Sequence, residues 1–124
     1  MKFKSKLVGK IVVITISGDI TSLSDSRELI DTVQDKIGDS VRSVIFDMTA
    51  VNYINSAGIN VLITALTSVR NKEGELVLAS ISEKVKSLLI ITKLNSIFNV
   101  KESVEESLQF LMQLEKVSAQ QENN

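Results

Sequence analysis

The chain has 124 residues, 44% of them hydrophobic, and its 14 basic and 15 acidic residues leave a net charge of −1. This length supports one compact domain and not two, and charges so evenly spread create no long-range field to attract nucleic acid or an anionic membrane. With no His and no Cys, the usual general base, thiol nucleophile and soft-metal ligands are missing, so any catalysis would fall to carboxylates, Lys or Tyr53. Aromatic residues make up only 4% of the chain and are not interleaved with basic ones, which argues against a base-stacking surface. No apolar run approaches the roughly 18 residues of a membrane span, and no charged-then-apolar signal opens the chain. A cytoplasmic protein without disulfides is expected.

The opening stretch from Lys2 alternates loosely, turns at Gly9-Lys10 and then runs through Ile11-Val-Val-Ile-Thr-Ile16, a β-branched block the length of a buried strand. Gly18-Asp-Ile-Thr-Ser22 breaks the pattern. Leu29, Ile30, Val33 and Ile37 then recur at helical spacing, with Ser24 or Asp25 as cap and Gly38 as stop. Val44-Ile-Phe46 reads as a central strand ending at Asp47. From Ser56 a helix presents Ile59, Leu62, Ile63, Leu66 and Val69 on one face and Asn60, Thr64, Thr67 and Asn71 on the other, ending near Lys72 with Gly74 as its stop. Leu76-Val-Leu-Ala79 is a short strand, and Ser82 caps a helix lined by Val85, Leu88, Leu89 and Thr92. Ile97-Phe98 suggests an edge strand, and Ser103-Val-Glu-Glu106 is a capping box that opens a last helix through Val104, Leu108, Leu111 and Leu114. The amide-rich segment 118–124 reads as a disordered tail beyond a single domain over 1–117.

Strands alternating with helices imply right-handed crossovers and an α/β domain: a mostly parallel mixed sheet of four to five strands packed with about four helices. An antiparallel pair is expected across Gly9-Lys10, and one sheet face is expected to be only partly covered.

The motif from Val51 to Leu62 carries the most chemical interest, because it places Asn55 and Ser56 at the mouth of a helix. Either side-chain oxygen can accept from the free N–H groups of the first turn, an ordinary capping role. The same helix end favours a phosphate dianion, so a phosphorylated Ser56 would be locally stabilised. A nucleophilic role has no His to support it, and no glycine-rich Lys-Ser/Thr motif exists to cradle a nucleotide. Asp19, Asp25 and Asp47 near strand ends read as turn residues rather than a metal site, with Asp47 bonding nearby N–H groups before Val51. Ile90 and Ile91 read as core rather than as a contact patch.

Gly18-Asp-Ile-Thr21, Val44-Ile-Phe-Asp47, Val51 through Leu62 with Ile54-Asn-Ser-Ala-Gly58 at its centre, Leu76-Val-Leu78, Val85-Lys-Ser-Leu-Leu89, Leu94-Asn-Ser-Ile-Phe98 and Ser103-Val-Glu-Glu106 form an ordered set. This set resembles the STAS domain of bacterial anti-sigma factor antagonists over about residues 3–116. The resemblance implies a non-enzymatic switch with no cofactor. Unmodified protein binds a partner that is both serine kinase and anti-sigma factor, which frees a sigma factor; phosphorylation of Ser56 breaks the complex, and a PP2C-type phosphatase restores it. Asp19, Thr21, Asn55, Ser56 and Asn60 are the implied partner-binding residues, on a monomer or weak dimer that uses neither nucleic acid nor membrane. The alternative is a STAS scaffold that is never phosphorylated, serving a signalling or transport complex. Three residues depart from the family pattern: Asn55 stands where Asp is usual, Thr21 stands where many members carry Asp, and Lys93 replaces a common Gly and should adopt positive φ.

Overall fold

A computed structural model describes residues 1–38 and 40–122, with side chains placed through residue 116. Its elements in chain order are β1 (Lys2–Val8), β2 (Ile11–Ser17), a 3₁₀ turn (Ser24–Ser26), α1 (Arg27–Lys36), β3 (Ser43–Ala50), α2 (Ser56–Asn71), β4 (Glu75–Ala79), α3 (Glu83–Ile91), β5 (Asn99–Lys101) and α4 (Val104–Glu122). The strands lie in the order β1-β2-β3-β4-β5. The β1–β2 pair is antiparallel and every other pair is parallel, as the single tight turn at Gly9-Lys10 and the crossover helices require.

Side chains alternate across the sheet. Val12, Ile14, Ile16, Val44, Phe46, Met48, Leu76 and Leu78 face α1, α2 and α3 in the larger core. Ile11, Val13, Ile45, Val77 and Ala79 face the other way, against Leu111 of α4 with Val104, Leu108 and Phe110 beside it. Burial on both faces explains why these strands are unbroken apolar runs rather than alternating ones. Because α4 alone covers the second face, Thr15, Ser17 and Thr49 beyond its reach stay exposed. The free edge of β1 carries Lys2, Lys4 and Lys6, all exposed; charges spaced this way discourage pairing with another strand.

Helix starts follow the sequence closely. Ser82 Oγ accepts from Val85 N at 3.2 Å, and Ser103 Oγ accepts from Glu106 N at 3.0 Å while Glu106 reaches back to Glu102 N. The first helical stretch differs. Its turn begins at Ser24, and the capping oxygen is Ser22 Oγ, which accepts from Asp25 N at 3.3 Å. Neither Ser24 nor Asp25 caps it.

Other expectations need correction. Strand β3 continues past Asp47 to Ala50, and the edge strand is Asn99–Lys101 rather than Ile97-Phe98. Ile97 N closes a turn onto Leu94 O, and Phe98 is buried in the core as a plug. Ile90 and Ile91 are 53% and 76% exposed, not core. In so short a helix Val85 and Leu89 fill the inward stripe, and the two residues after Leu89 rotate outward. On α2, Val61 and Ala65 join the buried face while Ile63 is only half-buried. The α4 backbone is helical through Glu122, so helix occupies Ser118–Glu122 of the segment read from composition as tail. No Gly or Pro follows Ser103 to stop it. Asn123 and Asn124, the rest of that segment, lie outside the described residues.

Two helix ends carry backbone strain. At the end of α3, Lys93 N bonds Ile90 O and Leu94 N bonds Leu89 O at 2.8 Å, with Lys93 at φ 61°, the left-handed turn that glycine usually supplies. At the end of α2 the left-handed residue is Glu73, φ 61°, and not the glycine that follows. Gly74 is needed one position later for a different reason: a β-carbon there would overlap the carbonyl oxygen of Arg42. Lys93→Gly should therefore raise unfolding free energy by about 0.5–1 kcal/mol, relief of the left-handed penalty less the added chain entropy, measured by urea midpoint. Gly74→Ala should lower it by about 1–3 kcal/mol or more, because backbone and not a flexible side chain stands in the way.

Candidate functional site

In parallel sheets, ligand and partner sites gather at the carboxyl ends of the strands. Three connections meet there: Gly18–Leu23 after β2, Val51–Asn55 after β3 and Ser80–Ser82 after β4. The first two remain paired beyond the strands. Gly18 N bonds Ala50 O at 3.1 Å, Ile20 N bonds Tyr53 O at 3.2 Å, and Ile20 bridges Ile54 in parallel fashion. The third joins through Ser82, whose hydroxyl donates to Asn52 O at 3.3 Å. Buried Ile20, Val51 and Ile54 anchor these loops from below.

Gly58, in the first turn of α2, sets how close the helix comes to the first loop. A β-carbon at this position would overlap the Ile20 carbonyl oxygen. Only glycine lets the helix start against that loop.

Asn55 is the N-cap. Its Oδ1 accepts from Gly58 N at 3.0 Å, and its Nδ2 donates to Thr21 O at 3.2 Å. Its own carbonyl accepts from Ile59 N at 2.9 Å. Of the two capping candidates, Asn55 therefore does the capping and Ser56 does not. Ser56 is the first residue of α2, is exposed, and its hydroxyl has no hydrogen-bond partner among the described residues. The N–H groups of Ser56 and Ala57 likewise point out of the helix start without partners among those residues.

The five residues singled out from sequence come together around this helix end. Asp19 and Thr21 are exposed on the loop fastened to Asn55. Asn60 lies one turn beyond Ser56 on the same exposed side of α2, with its carbonyl accepting from Thr64 Oγ1 at 2.7 Å. Two residues were not expected at the site: Tyr53 and Leu23, 49% and 46% exposed, flank it in the chain. Both sit in runs that read as turn or strand end, where an apolar side chain is ordinarily buried. Asp47 Oδ1 accepts from Thr49 N at 3.1 Å and from Thr49 Oγ1 at 2.7 Å, bonding a nearby N–H as expected, but inside β3 rather than in a turn before Val51.

Among the described residues no three His, Cys, Asp or Glu side chains gather to hold a metal ion, and Asp25 instead lies 3.6 Å from the amino-terminal nitrogen of Met1. An open groove of about 870 Å³ lies between β1 and α1, lined by Phe3, Ser5, Glu28, Thr32 and Lys36 among others, and none of the five site residues borders it. No helix among the described residues is long and apolar enough to cross a membrane.

Comparison with known proteins matches this arrangement. The chain is 32% identical over 90 residues to the anti-sigma-B factor antagonist of Listeria monocytogenes, covering 71% of this chain and 76% of that one. The crystal structure of TM1081 from Thermotoga maritima superposes with a TM-score of 0.79 at 21% identity, covering 89% of this chain and 94% of that one. A sulfate transporter family protein from Wolinella succinogenes shares the fold, with a TM-score of 0.76 at 18% identity over 90% of this chain and 93% of that one. The STAS domain family model matches residues 2–107, nearly the whole of both cores and every residue of the site. The chain belongs to the STAS domain family.

Proposed function

We propose that this protein is an anti-sigma factor antagonist. In its unmodified form it binds a partner that is both serine kinase and anti-sigma factor, and sigma factor is released. Phosphorylation of Ser56 ends the interaction, and a PP2C-type phosphatase restores it. The observation that carries the reading is the free, exposed hydroxyl of Ser56 at the first position of α2, beside an Asn55 that already holds the cap. The relative from Listeria, named an anti-sigma-B factor antagonist, supports the same reading.

The chemistry follows from the position. A phosphate on Ser56 brings close to two negative charges. It meets the unpartnered N–H groups of Ser56 and Ala57 at the positive end of the helix dipole, which stabilises the modified state. The cap bond from Gly58 to Asn55 is untouched. Loss of partner binding then arises at the surface, where the new charge joins exposed Asp19 and must be desolvated against the partner. Exposed Thr21 and Asn60 add polar groups to the same surface, and exposed Tyr53 and Leu23 lie in the two loops that meet there.

A constitutive STAS scaffold in a signalling or transport assembly is the second reading; Asn55 and Thr21 favour it, since both lack the carboxylate that the resemblance leads one to expect. The two readings part on one experiment. With the serine kinase encoded in the same genome, the Ser56→Ala variant should bind as tightly as wild type, and Ser56→Asp at least about tenfold more weakly. Incubation with that kinase and ATP should add one phosphate to the wild-type intact mass and none to Ser56→Ala. Equal affinity of the two variants together with no phosphate gain would replace the switch with the scaffold.

A further inference from the structure

The carboxamide of Asn55 makes two bonds of opposite sense. Its oxygen takes the Gly58 N–H of α2, and its nitrogen gives a hydrogen to the Thr21 carbonyl of the neighbouring loop. Its backbone N–H adds a third tie, to Ile20 O at 3.4 Å. A carboxylate of the same shape can accept from Gly58 but has no hydrogen for Thr21, and its charge would face the carbonyl dipole. Serine and alanine reach neither the second partner nor, for alanine, the first. Of the side chains of this size, the carboxamide alone satisfies both ends.

We propose that Asn55 is a positioning residue: through this two-sided clamp it holds the loop bearing Asp19 and Thr21 at a fixed distance from the Ser56 hydroxyl, so that both are presented to the partner as one rigid surface. The role rests on the switch reading above. It assigns to the position before the acceptor a contribution to partner affinity rather than to phosphoryl transfer, because the amide bonds backbone groups and leaves the hydroxyl free. The clamp also separates two properties that a plain cap would lose together. Asn55→Asp keeps the helix cap, since aspartate and asparagine cap about equally well, and loses only the side-chain bond to Thr21 O.

Amide hydrogen exchange on the full ¹⁵N-labelled chain reads the clamp directly. In wild type, one side-chain NH₂ proton of Asn55 should exchange measurably more slowly than those of exposed asparagines such as Asn60. In Asn55→Asp, the Gly58 amide should stay as protected as in wild type, while the backbone amides of Ile20 and of residue 55 exchange about three- to tenfold faster, the loss of one net hydrogen bond. With the kinase identified in the mass experiment, the same variant should raise KM by about three- to tenfold and leave kcat within about twofold. Unchanged exchange at residues 20 and 55, loss confined to Gly58, or a fall in kcat at constant KM each overturn the proposal. So does a fast-exchanging Asn55 side chain in wild type, a result that needs no variant to fold. A wild-type protein that takes no phosphate overturns the switch reading and the role given to the clamp, whereas the exchange data alone decide whether the clamp exists.

Discussion

The carbonyl oxygen of Ile20 lies where a β-carbon of residue 58 would be, and the site depends on that contact. It requires glycine in the first turn of α2 and brings the loop after β2 against the helix start. Beside it, the chain after β2 stays paired with β3 and the loop that follows, through Gly18 to Ala50 and Ile20 to Ile54. A side chain at position 58 would push the loop away from the helix start and strain the bonds that Asn55 makes to Gly58 and Thr21. The cores below supply the frame: two faces of one sheet, three helices over one and α4 over the other.

Within that frame, adjacent residues divide two tasks that a single helix-end side chain often combines. A cap is worth about 1 kcal/mol. Were Ser56 the cap, modifying it would remove that bond and loosen the helix start. Because Asn55 holds the cap, a group added to Ser56 changes surface charge at little cost to the fold. On the proposed reading, a switch built this way would signal through what a partner meets and not through refolding, which suits a small domain whose total stability is only some 5–15 kcal/mol.

Much of this was legible in the residues. Unbroken β-branched runs marked strands buried on both faces, and periodic apolar positions marked the helices; Ser82 and Ser103 announced their own caps. The illegible parts have specific physical causes. Gly74 looked like a helix stop because glycine usually takes the left-handed position, yet Glu73 takes it and Gly74 is reserved for the Arg42 carbonyl, a contact 32 residues away in sequence that no local pattern encodes. Ile90 and Ile91 looked like core because hydropathy does not state how short a helix is or which way its last turn points. At the site, the motif identified Ser56 and the loop beside it. It did not decide between Asn55 and Ser56 as cap, since both have the required oxygen and the choice rests on where the helix begins, which is at Ser56 with Gly58 N bonded to Asn55. Lys93 is the converse case: its replacement of a glycine pointed to positive φ, and the backbone adopts it.

The central claim is that Ser56 can carry a phosphate without disturbing the clamp or the fold. The most direct measurement is a ¹H–¹⁵N correlation spectrum of the chain with phosphoserine incorporated at position 56, compared with the unmodified protein. Shifts should be confined to about residues 18–23, 52–60 and 80–82, with Gly58 amide protection and the slow Asn55 side-chain proton retained, and the Ser56 and Ala57 amides moving downfield as they bond the phosphate. Shifts spread through the sheet, or loss of Gly58 protection, would contradict it.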